Sequence, residues 1–162
     1  MSDAVLVLDD FLPFRLSYTS NLVSDTIARA YEVLFGLSIP EWRVVAVVAE
    51  TGGITQRAIG RKTRMDKVTV SRAAISLVGR GLMARQPHSG DRRSHMLVLT
   101  DQGRALHGAI APKALDLEAR IFARLGEEET RRFVDTLRRI DAVVLDLAED
   151  VGETMPGETT TS

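Results

Sequence analysis

Apolar residues at Val23, Ile27, Ala30, Tyr31 and Leu34 recur at helical spacing, which predicts a first helix from about Leu12 to Phe35 with Gly36 as its stop. Pro40 suits the first turn of a second helix, and Trp42, Val45, Val48 and Ala49 give that helix one apolar stripe. Thr51-Gly52-Gly53 ends it. A third, short helix is expected behind Thr55 as N-cap, with Ala58 and Ile59 turned inward. Arg64-Met65-Asp66 reads as a tight turn, and Asp66 caps a fourth helix that runs to about Arg80.

The period then changes. Leu82-Met83-Ala84-Arg85 and Met96-Leu97-Val98-Leu99 are strand-like runs separated by Pro87-His88-Ser89-Gly90-Asp91, a stretch rich in turn residues. This predicts a β-hairpin with a basic tip. Thr100-Asp101 opens a long helix to about Leu125, with Pro112 as a kink, and Gly126 breaks it. Glu127-Glu128-Glu129 suit the first turn of a last helix. In that helix Phe133, Leu137, Ile140, Val144 and Leu147 form a seam spaced 4, 3, 4, 3. Such a seam fits a partner helix or an intrachain bundle contact equally well. Residues 1–11 are expected as a flexible arm and 151–162 as a disordered tail. The fold class is mainly α with a small β-wing.

Composition narrows the chemistry. There is no cysteine, so disulfides, thiolate nucleophiles and zinc sites with sulfur ligands are excluded. His88, His95 and His107 show no metal-ligand spacing, and no cofactor motif is present. G-x-S-x-G and P-loop patterns are absent as well, which argues against an enzyme. No run of 18 apolar residues occurs, and MSDAVLVLDD lacks the basic start of a signal peptide, so the expected compartment is the cytoplasm.

Charge is segregated. Between Thr55 and His95 ten Lys/Arg face only Asp66 and Asp91, a local net of +8, while the remainder carries 11 Lys/Arg against 20 Asp/Glu, a net of −9. A compact cationic face on an acidic body suits a polyanion such as duplex DNA, with one negative charge per roughly 1.7 Å of axis. Within this segment the element order is short helix, tight turn, longer helix and basic hairpin, the order of a winged helix-turn-helix. At 100° per residue Val70, Ala73, Ala74 and Leu77 share the core side of the fourth helix. Val68, Thr69, Arg72 and Ser76 fall opposite, and Ser71 and Lys67 of the same helix join them as candidate DNA-binding residues. Arginine forks to guanine O6/N7, hydroxyls serve bases or phosphates, and a valine methyl can touch a thymine methyl. Gln56, Arg57, Arg61 and Arg64 precede that helix and are placed to meet phosphates.

At these residues the chain resembles the MarR-type winged-helix transcription regulators. The wing, Asp91-Arg92-Arg93-Ser94-His95-Met96-Leu97-Val98-Leu99-Thr100, fits that family's D-x-R-x-x-x-L-x-L-T pattern. Val70-Ser71-Arg72, Arg80-Gly81-Leu82 and Thr100-Asp101-Gln102-Gly103 match further, and the likeness spans roughly residues 12–148. It implies one domain over 12–150, with a DNA-binding winged helix at about 40–100 and dimerisation helices at about 12–35 and 101–150. It also implies that Arg93 enters a minor groove with Asp91 fixing its direction and Arg92 beside it, although Asp91 as a plain turn former fits the sequence too. Family members are homodimers, so the resemblance implies an inverted-repeat operator on double-stranded DNA and a repressor role. Many are released by an aromatic carboxylate or its coenzyme A thioester. The candidate ligand residues are Phe14, Arg15, Tyr18, Trp42 and Arg43, which also fit core or salt-bridge roles. A regulator that acts by occupancy without a ligand is the alternative.

Overall fold

The computed structural model describes residues 6–153, with the side chains of 91–93 and 149–153 excepted. A 3-10 turn at Leu8–Asp10 precedes α1 (Leu12–Phe35), α2 (Ile39–Thr51), β1 (Ile54–Thr55), α3 (Gln56–Thr63), α4 (Lys67–Gly79), β2 (Met83–His88), β3 (Asp91–Leu99), α5 (Asp101–Phe122) and α6 (Glu127–Glu153). The chain divides into two compact units, Met1–Leu115 and Asp116–Ser162.

Local chemistry sets the helix ends. Gly36 closes α1 at φ 61°, the left-handed conformation that glycine adopts without penalty. Ser38 starts α2 with a capping box: its hydroxyl accepts from the Glu41 N–H, and Glu41 Oε2 accepts from the Ser38 N–H at 2.8 Å. Thr55 caps α3 through the Ala58 N–H, and Asp66 caps α4 through the Thr69 N–H at 2.8 Å. Between them Arg64 holds φ 58°. A non-glycine residue pays roughly 1–2 kcal/mol in that region, so the turn retains a cation where glycine would fit with less strain.

In the first unit the core gathers Val44, Val45 and Val48 of α2, Ile59 of α3, Val70, Ala74 and Leu77 of α4, and Leu97 of β3, each at most 1% exposed. The expected inward side of α4 is the buried one, Ala73 included. All three strands are antiparallel in the order β1-β3-β2. β1 pairs Ile54 with Leu97 and Thr55 with Met96, which ties the start of α3 to the wing. The sequence reading had no strand there.

The hairpin is longer than its turn signals suggest. Pro87 and His88 belong to β2 and Asp91 opens β3, which leaves Ser89 and Gly90 as the connection. A register shift between Pro87 and His88 accommodates this, because a proline that cannot donate to a ladder is tolerated at an irregularity. At the base of the wing Thr100 Oγ donates to the Gly81 carbonyl at 2.7 Å and accepts from the Gly103 N–H at 3.1 Å. Gly103 is obligatory here, since a Cβ would stand 2.0 Å from the Leu82 carbonyl oxygen.

The second unit is the end of α5 and α6. Exposed pairs Arg131–Glu128 and Arg138–Asp135 decorate α6 along its polar side. On the seam Phe133, Ile140, Val144 and Leu147 are exposed. α6 continues to Glu153, three residues into the span expected as a tail, and 154–162 lie outside the described residues. Leu8–Asp10 likewise forms a turn inside the span expected as an arm.

Candidate nucleic-acid interface

α3 and the first turn of α4 enclose a recess of about 1050 Å3, lined among others by Gln56, Arg57, Arg61, Arg64, Lys67 and Ser94. Thus the helix expected to meet phosphates, the turn and one wing strand converge on a single concavity. A smaller recess of about 300 Å3 brings Arg57 beside Arg85, Ser94 and His95. Arg85 and His95 were not among the sequence-derived site residues. Their signal lay in the alternation of β2 and β3, which turns them toward α3, and it needed the β1 pairing to be seen.

Arg57, Arg61, Arg64, Lys67 and Arg72 are exposed, and among the described residues none is paired with a carboxylate. Neighbouring cations are treated differently: Lys62 reaches Glu50 at 3.1 Å, and Arg80 donates to the Gly36 carbonyl and stands 3.9 Å from Glu41. The repulsion within the unpaired set lacks an internal counter-charge, which a polyanion would supply.

On α4 the expected base-facing residues separate into two groups. Val68 and Arg72 are exposed, and Ser71 is half-buried. The Thr69 hydroxyl donates to Asp66 Oδ2 at 2.7 Å, so its proton is committed to the cap, and its oxygen and methyl remain. That bond, followed by the Thr69 N–H, holds the Asp66 carboxyl below the usual aspartate range. Ser76 is a correction. Its Oγ donates to Glu41 Oε1 at 2.6 Å, which places it in the joint between α4 and α2 instead of on the outer face. Ile75, omitted from the sequence-derived set, is exposed there in its stead.

A sequence model of the MarR family matches residues 35–94, the stretch from the end of α1 through the wing tip. Over these residues the chain matches the MarR family, whose members are DNA-binding transcriptional regulators. Transcriptional regulator HosA of Escherichia coli O157:H7 is 27% identical over 113 residues, 70% of this chain and 84% of the relative. A MarR family regulator from Neisseria meningitidis aligns with TM-score 0.72 and 27% identity, over 93% of this chain and all of that one. CouR from Rhodococcus jostii, solved bound to p-coumaroyl-CoA, aligns with TM-score 0.75 and 25% identity, over 84% of this chain and 95% of its own. The relatives are regulators and not enzymes, and no helix among the described residues is long and apolar enough to cross a membrane.

The family's wing residues Asp91, Arg92 and Arg93 open β3, but their side chains lie outside the described residues. The candidate ligand residues divide. Phe14 and Tyr18 approach at 5.9 Å between ring centroids, and the Arg15 guanidinium lies 5.3 Å over the Tyr18 ring while bonded to Asp9 at 2.7 Å. Trp42 instead meets Tyr31 edge-on at 5.5 Å and stacks on His107 of α5 at 5.8 Å and 16°. Tyr31 is 13 residues beyond Tyr18, about 20 Å along α1 at 1.5 Å per residue. Within one protomer Phe14, Arg15 and Tyr18 therefore do not face Trp42, so the five candidates do not form one group there, and Arg43 is exposed. His107 belongs to the Trp42 group.

Proposed function

We propose that this MarR-family chain is a homodimeric repressor whose two α4 helices occupy successive major grooves of an inverted-repeat operator. The observation that carries the reading is the unpaired cationic face of Arg57, Arg61, Arg64, Lys67 and Arg72 around the α3–α4 recess. In this reading Gln56, Arg57, Arg61, Arg64 and Lys67 hold phosphates. Val68, Thr69, Ser71 and Arg72 meet base edges, and Arg92 and Arg93, with Asp91, serve the wing contact in the minor groove. The exposed apolar seam of α6 supports assembly with a second copy, since such a strip on a solvated helix gains by being covered. Selecting bound sequences from random DNA and footprinting the product tests this. A two-fold symmetric site of about 16–20 bp, silenced in a reporter by the protein, is expected. An asymmetric site, or binding by a monomer as tight as by the dimer, would refute it.

Release by an aromatic acid or its coenzyme A thioester is the second part of the proposal. CouR was solved bound to such a thioester, and the Phe14–Arg15–Tyr18 group supplies a cation over the Tyr18 ring, with the Phe14 ring beside it. One observation favours occupancy without a ligand: Arg15 already has a carboxylate in Asp9, and Trp42 already has a stacking partner in His107. Titration of the acids against the protein–operator complex separates the two readings.

A further inference from the structure

We infer that Val68 and Ile75 are thymine-reading residues that bracket the guanine contact of Arg72, so that each operator half-site carries thymine methyls on both sides of a G·C pair. This rests on the proposed placement of α4 in the major groove and adds the base classes it selects. Every other large aliphatic of α4 is inward or half-buried: Val70 and Leu77 are at most 1% exposed, and Val78 packs against the core. Val68 and Ile75 alone stand out, at 57% and 59% exposure. Their positions are not scattered. With Arg72 they fall at i, i+4 and i+7, within about 60° of one another around the helix, and form a single outward ridge.

The ridge has the composition of a reading head. Arg72 carries no ion pair among the described residues, so its guanidinium is free to fork onto guanine O6/N7. Apolar groups held against a groove floor find only one apolar partner there, the C5-methyl of thymine. Hydroxyls that would read either base are drawn off this ridge, Ser76 to Glu41 and the Thr69 proton to Asp66. Along the axis Val68 lies about 6 Å before Arg72 and Ile75 about 4.5 Å after it. At 3.4 Å per base step these spacings correspond to between one and two base pairs on either side of the guanine. Because Ile75 is two turns beyond Val68, the helix must lie along the groove for both to reach, and this orientation is part of the inference.

The test uses the full chain and its selected operator, with each thymine replaced singly by deoxyuridine, which deletes the methyl and leaves base pairing unchanged. Two positions per half-site should each lose about fourfold in affinity, the value of one buried methyl-sized group. In Val68→Ala one of these losses should vanish while the other persists, and in Ile75→Ala the reverse should hold. Both substitutions are at exposed helical positions where alanine is well tolerated, and circular dichroism verifies the fold. Affinity indifferent to deoxyuridine at every position, or coupling to only one of the two side chains, overturns the inference while operator binding itself stands. Failure to enrich any DNA sequence removes the proposed function and this inference together.

Discussion

Ser76 Oγ donates to Glu41 Oε1 at 2.6 Å, a bond between residues 35 positions apart that joins the recognition helix to the capping box of α2. The same carboxylate accepts from the Ser38 N–H through its other oxygen and has the Arg80 guanidinium at 3.9 Å, while Arg80 also donates to the Gly36 carbonyl. One glutamate therefore fixes the end of α1, the start of α2 and the far half of α4.

Ser76→Ala should lower stability by about 1.5–3 kcal/mol, the range for hydrogen bonds to charged groups, with operator affinity close to wild type below the melting range. Arg72→Ala should do the opposite: stability within about 0.5 kcal/mol and a loss of about 1–3 kcal/mol in discrimination at its base pair. Urea midpoints and competition binding measure the two effects. Equal losses of DNA affinity from both substitutions would return Ser76 to the DNA-facing set.

The Glu41 carboxyl carries a pH signature. Burial pushes its pKa up, but the Ser76 hydroxyl, the Ser38 N–H and hydroxyl, and the Arg80 charge together outweigh burial and hold it below the usual glutamate range. A carboxyl depressed in the folded state stabilises fully above its unfolded pKa of about 4.3, and this stabilisation is lost as pH falls through the lower folded value. Unfolding free energy should accordingly fall less steeply in Glu41→Gln than in wild type as pH drops below about 4.3. Parallel acid limbs for the two proteins would contradict the assignment.

The elements legible in the sequence are those whose signals are local. The periodic stretch of α1, the Thr55 and Asp66 caps and the inward face Val70, Ala73, Ala74 and Leu77 follow from spacing and side-chain type. Two-residue β1 has no period to read, and it exists because Ile54 and Thr55 meet Leu97 and Met96 across the fold. Ile75 lies within about 20° of Val68 around α4 yet is aliphatic, so residue type pointed inward where geometry points out. Ser76 fails in the reverse sense, as a polar residue satisfied by a distant glutamate. Trp42 pairs with His107 from α5, a contact set by packing that neither residue's neighbours in sequence reveal.

Gly103→Ala should destabilise the chain by at least about 1–3 kcal/mol, the usual cost of overpacking a filled site. The added methyl would meet the Leu82 carbonyl oxygen at 2.0 Å and Leu99 Cδ2 at 3.1 Å, and backbone cannot swing aside as a flexible side chain does. Gly108→Ala is the control on the same helix, since nothing lies within 4 Å of its position, and it should be neutral or mildly stabilising. Thermal unfolding distinguishes them.

For ligand release, Arg15→Ala should leave operator affinity without ligand nearly unchanged and blunt the response to aromatic carboxylates. Asp9→Ala should sharpen that response, because it removes the carboxylate now bonded to Arg15 at 2.7 Å. A tenfold release requires the ligand to prefer the DNA-incompetent state by about 1.4 kcal/mol, within ordinary coupling energies. If benzoates, hydroxycinnamates and their thioesters leave the complex untouched in all three proteins, occupancy without a ligand is the better description.

Salt dependence counts the phosphate contacts directly. Each neutralised phosphate lowers the slope of log K against log salt by about 0.9 on B-DNA. In a dimer every cation of the α3–α4 recess acts twice, so Arg61→Ala should make the slope shallower by about 1.8, and Arg61→Ala with Arg64→Ala by about 3.6. The loss should be uniform across operator variants, because a phosphate contact carries no base information. Lys62→Ala serves as the internal comparison: its ammonium is bonded to Glu50 at 3.1 Å and should contribute little to the slope. A slope that moves as much for Lys62→Ala as for Arg61→Ala would show that the unpaired recess is not where the phosphates bind.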